Sequence, residues 1–180
     1  PAAAEQWGGD FPQSPALDQA YREVKDGPEV RAGKLTLGAD GDAPIALAGL
    51  PAGVYRLRVS AGEPWGGSAE AEAVLAVVDP AKGVALKLGS VTVPERSSYA
   101  VGETARFLLG SAFVDALTHV EIWGGQFLLE RRVVEGKGPR LLAVALDERH
   151  KGGVTVRWFG VKDFRVRAGA ATVAVPWKDK

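Results

Sequence analysis

Apolar and polar side chains alternate through the chain from Val30 onward, and a repeat of two leaves room for little but β-strands with one face in a core and one in water. "GVYRLRVSA" sets Tyr55, Leu57 and Val59 on one face and Arg56, Arg58 and Ser60 on the other. "SAEAEAVLAVVDP" turns Glu70 and Glu72 outward, with Ala71, Ala73, Leu75 and Val77 inward. "GKLTLGA" and "APIALAGL" repeat the pattern through Leu35 and Leu37, then Ile45 and Leu47. Gly and Pro punctuate the gaps at 38–44, 49–53, 62–67 and 79–83.

The punctuation predicts organisation. A strand ends at Val77-Val78, the chain turns at Asp79-Pro80, and a fresh series of strands follows. That series runs through "VALKLGSVTVP", "ETARFLLGS", "THVEIWGG", "QFLLERRVVEG", "RLLAVALDE", "GGVTVRWFGV" and "DFRVRAGAATVAVPW". About seven short strands with a turn signal at every gap is the pattern of an antiparallel β-sandwich. Its expected core is Phe107, Leu109, Val120, Ile122, Val154, Val156 and Phe164. Of the adjacent pair Arg131 and Arg132, alternation lets only one face water fully, and the other should lie along the surface.

Ahead of the strands, "PAAAEQWGGDFPQSP" reads as a linker. "ALDQAYREVKDG" then places Leu17, Ala20, Tyr21 and Val24 on one helical face, closed by Gly27. The expected fold is all-β, two tandem antiparallel β-sandwich domains behind a short N-terminal linker or helix. Residues 1–28 form the lead-in, 29–83 the first domain (with the lead-in available to complete it), and 84–180 the second.

Charge and composition exclude several classes of function. With 22 basic and 22 acidic residues, the chain carries no electrostatic footprint for nucleic acid or an anionic membrane. No stretch approaches the roughly 18 apolar residues of a membrane span. The absence of Cys removes disulfides, thiolate metal sites and Cys nucleophiles from this segment. Met is also absent, position 1 included, and the expectation is a piece excised from a longer protein.

Residues able to carry chemistry are few. His119 and His150 are the only histidines. "DERH", Asp147 to His150, has carboxylate and imidazole ligands but no second cluster, and reads as a charged turn. "DGD", Asp40 to Asp42, lacks the further oxygens of a calcium loop. Gly124-Gly125 and Gly152-Gly153 precede no helix and read as hairpin glycines. Ser97 and Ser98 lie in a turn without a nucleophile elbow. Trp65, Trp123, Trp158, Phe159 and Trp177 would suit a carbohydrate platform, but the expectation is packing, with Trp158 or Phe159 capping the sandwich core and Trp65 and Trp123 lying under Gly-rich turns. No catalytic, cofactor-binding or metal-binding residue is assigned, no cofactor is expected, and the chain is read as non-enzymatic.

"VRAGKLTLGADGDAPIALAGLPAGVYRLRVSA" resembles a macroglobulin-type domain, in which a short strand precedes an "L-x-x-G-x-Y-R-L" pattern. "SSYAVGETARFLLGSAF" is similar to the entry of the next such domain in the bacterial α2-macroglobulin family, a Tyr-x-x-Gly-Glu turn before an apolar strand. "HVEIWGGQFLLERRVV" resembles the family's hairpin with an Glu-Arg pair after a Gly turn, and "GGVTVRWF" with "VRAGAATVAVPWKDK" resembles its exit strands. The likeness covers residues 25–180, and "YAVGE" departs from it in lacking the Pro often found before Gly.

The resemblance implies macroglobulin or fibronectin-III-like sandwiches from a periplasmic or extracellular protease inhibitor, with a lipid anchor on the parent chain as one arrangement. Such inhibitors trap a protease after it cleaves a bait. This segment would be scaffold, its partners the neighbouring macroglobulin domains and, through the full-length protein, proteases. The alternative is a secreted or surface adhesion or carbohydrate-binding module, because "ALAGLPAGVYRLRV" also resembles the Gly-Leu-Pro hairpin of carboxypeptidase-regulatory-like domains.

Overall fold

The computed structural model describes residues 17–62, 65–79, 86, 88–113, 116–135 and 138–177. The protein is all-β, with antiparallel sheets and one short helix among these residues. Helix α1 spans Leu17–Tyr21, and strands β1 (Gly53–Gly62) and β2 (Ser68–Val77) pair as a hairpin. Then follow β3 (Ser90–Pro94), β4 (Thr104–Ser111), β5 (Thr118–Gly124), β6 (Phe127–Val134), β7 (Arg140–Ala145), β8 (Val154–Lys162) and β9 (Arg165–Val173).

The last seven strands form a sandwich. One sheet has the order β3-β4-β7 and the other β6-β5-β8-β9. Alternation puts Ala105, Phe107 and Leu109 of β4 against Val120, Ile122, Val154, Val156 and Trp158 of the facing sheet, all buried. Six of the seven core residues expected from the sequence are there. Phe164 is the exception. It sits with Asp163 in the two-residue turn joining β8 to β9, where Lys162 pairs with Arg165, and its side chain is wholly exposed (106%). A residue at the tip of a hairpin has passed the end of the sheet, so strand alternation no longer aims it.

The open edges of the sandwich are closed by side chains. Trp158 Nε1 donates to Thr92 Oγ1 (2.8 Å) across the line where β3 meets β9. Gly169 makes that approach possible, because a Cβ there would lie 2.0 Å from Thr92 Oγ1. At the other edge Arg132 Nη1 donates to Ala143 O of β7 (2.8 Å), while Nε and Nη2 bind Glu130. Arg131 instead faces water on the outer side and pairs with Glu121 (3.1 Å). The two arginines thus divide as alternation requires.

The N-terminal part differs from expectation. The segments around Leu35, Leu37, Ile45 and Leu47 carry no strand, and all four side chains are exposed. They do run out and back through a real turn, in which Gly38 N donates to Asp42 O, while Arg31 clasps Ala46 O and Ala48 O. Period-two sequence makes a ladder only when an apolar face finds something to cover it. Among the described residues the first unit therefore contributes a single hairpin. The expected domain boundary between residues 83 and 84, like residues 1–16, lies outside the described residues.

Helix α1 is shorter than the sequence predicts. Beyond its end Arg56 Nη2 donates to the carbonyls of Tyr21 (2.6 Å) and Val24 (3.1 Å), and Nη1 binds Asp26 (2.5 Å). The Nε of Arg56 approaches Glu72 Oε1 to 3.2 Å as an ion pair without hydrogen-bond geometry. Leu17 and Tyr21 then pack with Val74 and Ala76 of β2 over Val91, Val93 and Leu108, the outer face of the three-stranded sheet. This second, smaller core joins the hairpin to the sandwich.

Candidate functional site

The turn that opens the sandwich is built by Tyr99. Its ring is buried, and its hydroxyl accepts from the backbone N–H of Arg96 (3.2 Å) and Arg106 (3.4 Å). Gly102 takes φ +92°, a left-handed conformation that a side chain would strain, and donates to Leu146 O (2.9 Å). Glu103 accepts from Ala100 N (2.5 Å) and pairs with Arg96, whose guanidinium lies 4.3 Å over the Tyr99 ring. The Ala100 amide and then Arg96 hold the Glu103 carboxyl below its usual range. Ser97 and Ser98 tie this turn to the exit of β9, where Ala174 N donates to Ser97 O and Tyr99 N to Ala174 O.

Beside this turn lies a shallow pocket of about 280 Å³, lined by Tyr99, Val101, Glu103, Pro176 and Trp177 among others. Trp177 is 66% exposed, with Lys151 Nζ 5.7 Å from its ring centroid.

The "DERH" stretch is a cap. Asp147 heads a 3-10 turn over Glu148–His150 and accepts from Arg149 N (2.9 Å). Asp147 N donates to Nδ1 of the buried His150 (3.1 Å). Arg149 also grips both Asp147 oxygens, and this lowers the carboxyl to about 2. Asp40 accepts within its own turn, from Asp42 N (3.2 Å). Among the described residues no three His, Asp or Glu side chains gather as metal ligands would. No helix there is long and apolar enough to cross a membrane.

The aromatic residues scatter. Trp158 is core, whereas Trp65 is 91% exposed and packs under no turn, contrary to expectation. Phe159 points outward beside His119, ring centroids 4.9 Å apart. Trp123 lies on the same outer face, its Nε1 donating to Glu121 (3.1 Å) under the guanidinium of Arg157 (5.1 Å). A groove of about 360 Å³ lined by His119, Glu121, Arg131, Val133 and Phe159 crosses this face. The sequence had singled out His119 and Phe159 separately, and the cross-strand register of β5 on β8 is what joins them.

Three surfaces thus offer contact: the pocket at Trp177, the outer face of the four-stranded sheet, and the projecting Phe164. Each presents aromatic and apolar surface, and beside the first two Arg96, Lys151 and Arg131 are already engaged in ion pairs with Glu103, Glu148 and Glu121. No protein-family model matches the chain, and no curated protein matches it.

Proposed function

We propose that this chain is a scaffold segment of an α2-macroglobulin-like protease inhibitor, working through its contacts with neighbouring β-units. The observation that carries the reading is the way the chain's parts are joined. A Tyr-x-x-Gly-Glu turn opens a seven-stranded sandwich, and the preceding hairpin docks on that sandwich through Leu17, Val74 and Ala76. Such an arrangement suits passing displacement from one unit to the next, since a packed apolar junction moves as a body. In the family the segment resembles, capture of a protease needs a bait and rearrangement of the whole molecule. The chain by itself is then inert toward proteases and non-enzymatic, and its place is the periplasm or the cell exterior.

A second reading, an adhesion or carbohydrate-binding module, draws on the exposed Trp65 and Trp177. One pair of measurements separates the two. The isolated chain is expected to leave trypsin-like proteases uninhibited at stoichiometric ratio, and a glycan array with tryptophan-fluorescence titration is expected to show no saturable binding. Stoichiometric inhibition would mean that one of its turns acts as a direct inhibitory loop. Saturable quenching that disappears in Trp65→Ala or Trp177→Ala would favour the carbohydrate reading.

A further inference from the structure

Between α1 and β1 the chain runs from residue 22 to residue 52 without helix or strand, and every residue from 22 to 42 is exposed. The outward run of this arm is nevertheless fastened at both ends. At its base, Arg31 Nη1 and Nη2 donate to Ala46 O (2.9 Å) and Ala48 O (3.0 Å) on the return run. At its tip, Gly38 N donates to Asp42 O (2.8 Å), Gly41 N to Gly38 O (3.0 Å) and Asp42 N to Asp40 Oδ1 (3.2 Å). Residues 32–37 span the interval, and their backbone makes no hydrogen bond with any described residue. A protease takes its substrate as an added strand, so the substrate must bring free main-chain groups and side chains that can enter pockets in turn. This stretch supplies both, held out on an exposed loop of the kind that proteases nick first.

Lys34 is the residue within it that a protease would read. Its ammonium is exposed and has no ion pair or hydrogen bond among the described residues. Its basic neighbours along the chain are engaged. Arg31 would have to give up Ala46 O and Ala48 O to enter a pocket. Lys25 precedes Asp26, whose carboxylate binds Arg56 (2.5 Å) and Arg58 (2.6 Å), and the Val24 carbonyl before it accepts from Arg56 (3.1 Å). Arg22 lies in the turn that closes α1, where Val24 N donates to Tyr21 O (3.1 Å). The same contacts would hold the molecule together after a cut at Lys34. Leu17 and Tyr21 stay in the second core with Val74, Ala76 and Leu108, Arg56 keeps its grip on residues 21–26, and Arg31 reaches across the cut to partners on the other side.

We propose that the Lys34–Leu35 bond is a processing site for a trypsin-like protease, and that cleavage leaves a nicked molecule whose two pieces stay assembled. The carboxylate at the base of such a protease's specificity pocket pairs with the Lys34 ammonium. Hydrolysis breaks the amide C–N bond, with the hydroxyl of water going to the Lys34 carbonyl carbon and its proton to the Leu35 nitrogen. The cut gives Leu35 and Leu37 a free end, detached from the Arg31 fastening, and leaves the sandwich intact. The proposal does not rest on the protease-inhibitor reading, because the chain is here a substrate and nothing is captured.

Limited digestion of the whole chain with trypsin, read by mass spectrometry under denaturing and native conditions, tests it. Lys34–Leu35 is expected to be cut ahead of Arg22–Glu23, Lys25–Asp26 and Arg31–Ala32. Under denaturing conditions the piece ending at Lys34 separates, whereas under native conditions it stays bound to the rest. Lys34→Gln should abolish this cut and Lys34→Arg restore it. The side chain is exposed and without a partner among the described residues, so both variants should keep the wild-type circular dichroism spectrum. A Lys34–Leu35 bond that survives digestion, or a first cut in the arm at Arg22, Lys25 or Arg31, would overturn the site. Loss of the N-terminal piece from the native particle as soon as the bond is cut would overturn the assembly of the nicked form.

Discussion

Phe107 and Arg106 are adjacent in β4, yet one is wholly buried between the sheets and the other points to water beside Glu95. Their substitutions should differ accordingly. Phe107→Ala is expected to cost about 3–5 kcal/mol, the sum of lost transfer energy and a residual cavity. Arg106→Ala removes only an exposed ion pair and should cost less than about 1 kcal/mol. Urea titrations of the two variants check this, and equal midpoints would contradict the strand register. Phe164 shows the limit of the same logic. It follows an alternating strand and has the composition of a core residue, but two left-handed residues turn the chain just before it can re-enter the sheet.

At the scale of the element, the Asp147 cap makes stability depend on acid. The Arg149 side chain, bound to both carboxylate oxygens, lowers the carboxyl from 3.8 to about 2 in the folded protein. A carboxyl held down by folding contributes stability above its unfolded value of about 3.9, and that contribution is lost as pH falls through the folded one. The group is exposed, so the effect is small and screened by salt. Thermal melts between pH 5 and about pH 2 should therefore fall less steeply for Asp147→Asn than for the wild type. Parallel pH profiles would show that the cap contributes nothing. Because His150 is buried and accepts from Asp147 N, the cap fixes the polypeptide between β7 and β8 and with it the pole that carries Gly152 and Trp177.

On the scale of the whole molecule, two cores share one sheet. The inner face of β4 belongs to the sandwich, and its outer face, at Leu108, belongs to the junction with α1 and β2. Leu108→Ala should cost about 2–5 kcal/mol, as for other buried leucines. Its effect should fall on the junction, so hydrogen exchange is expected to quicken in residues 17–24 and 74–78 while Val120 and Val156 stay protected. Uniform acceleration through the sandwich would show that the hairpin and the sandwich unfold as one unit.

Local rules sufficed for much of this. A period of two with Gly and Pro in the gaps determined that the chain is β-structure, that seven strands follow residue 84, and which face of β4, β5 and β8 turns inward, because side chains of a strand point alternately whatever the sheet's partners. The same rules identified the "DERH" stretch as a charged corner, since its contacts are among residues close in sequence. Tertiary structure decided what needs a partner distant in the chain. Leu35, Leu37, Ile45 and Leu47 alternate as well as β4 does, but no described face covers them and they form no ladder. The carbonyl of Tyr21 at the helix end is capped by Arg56, far along the chain. Phe159 meets His119, and Trp177 meets Lys151, only through register and chain return. Alternation records which way a side chain points, and what it meets there depends on elements that the local pattern does not contain.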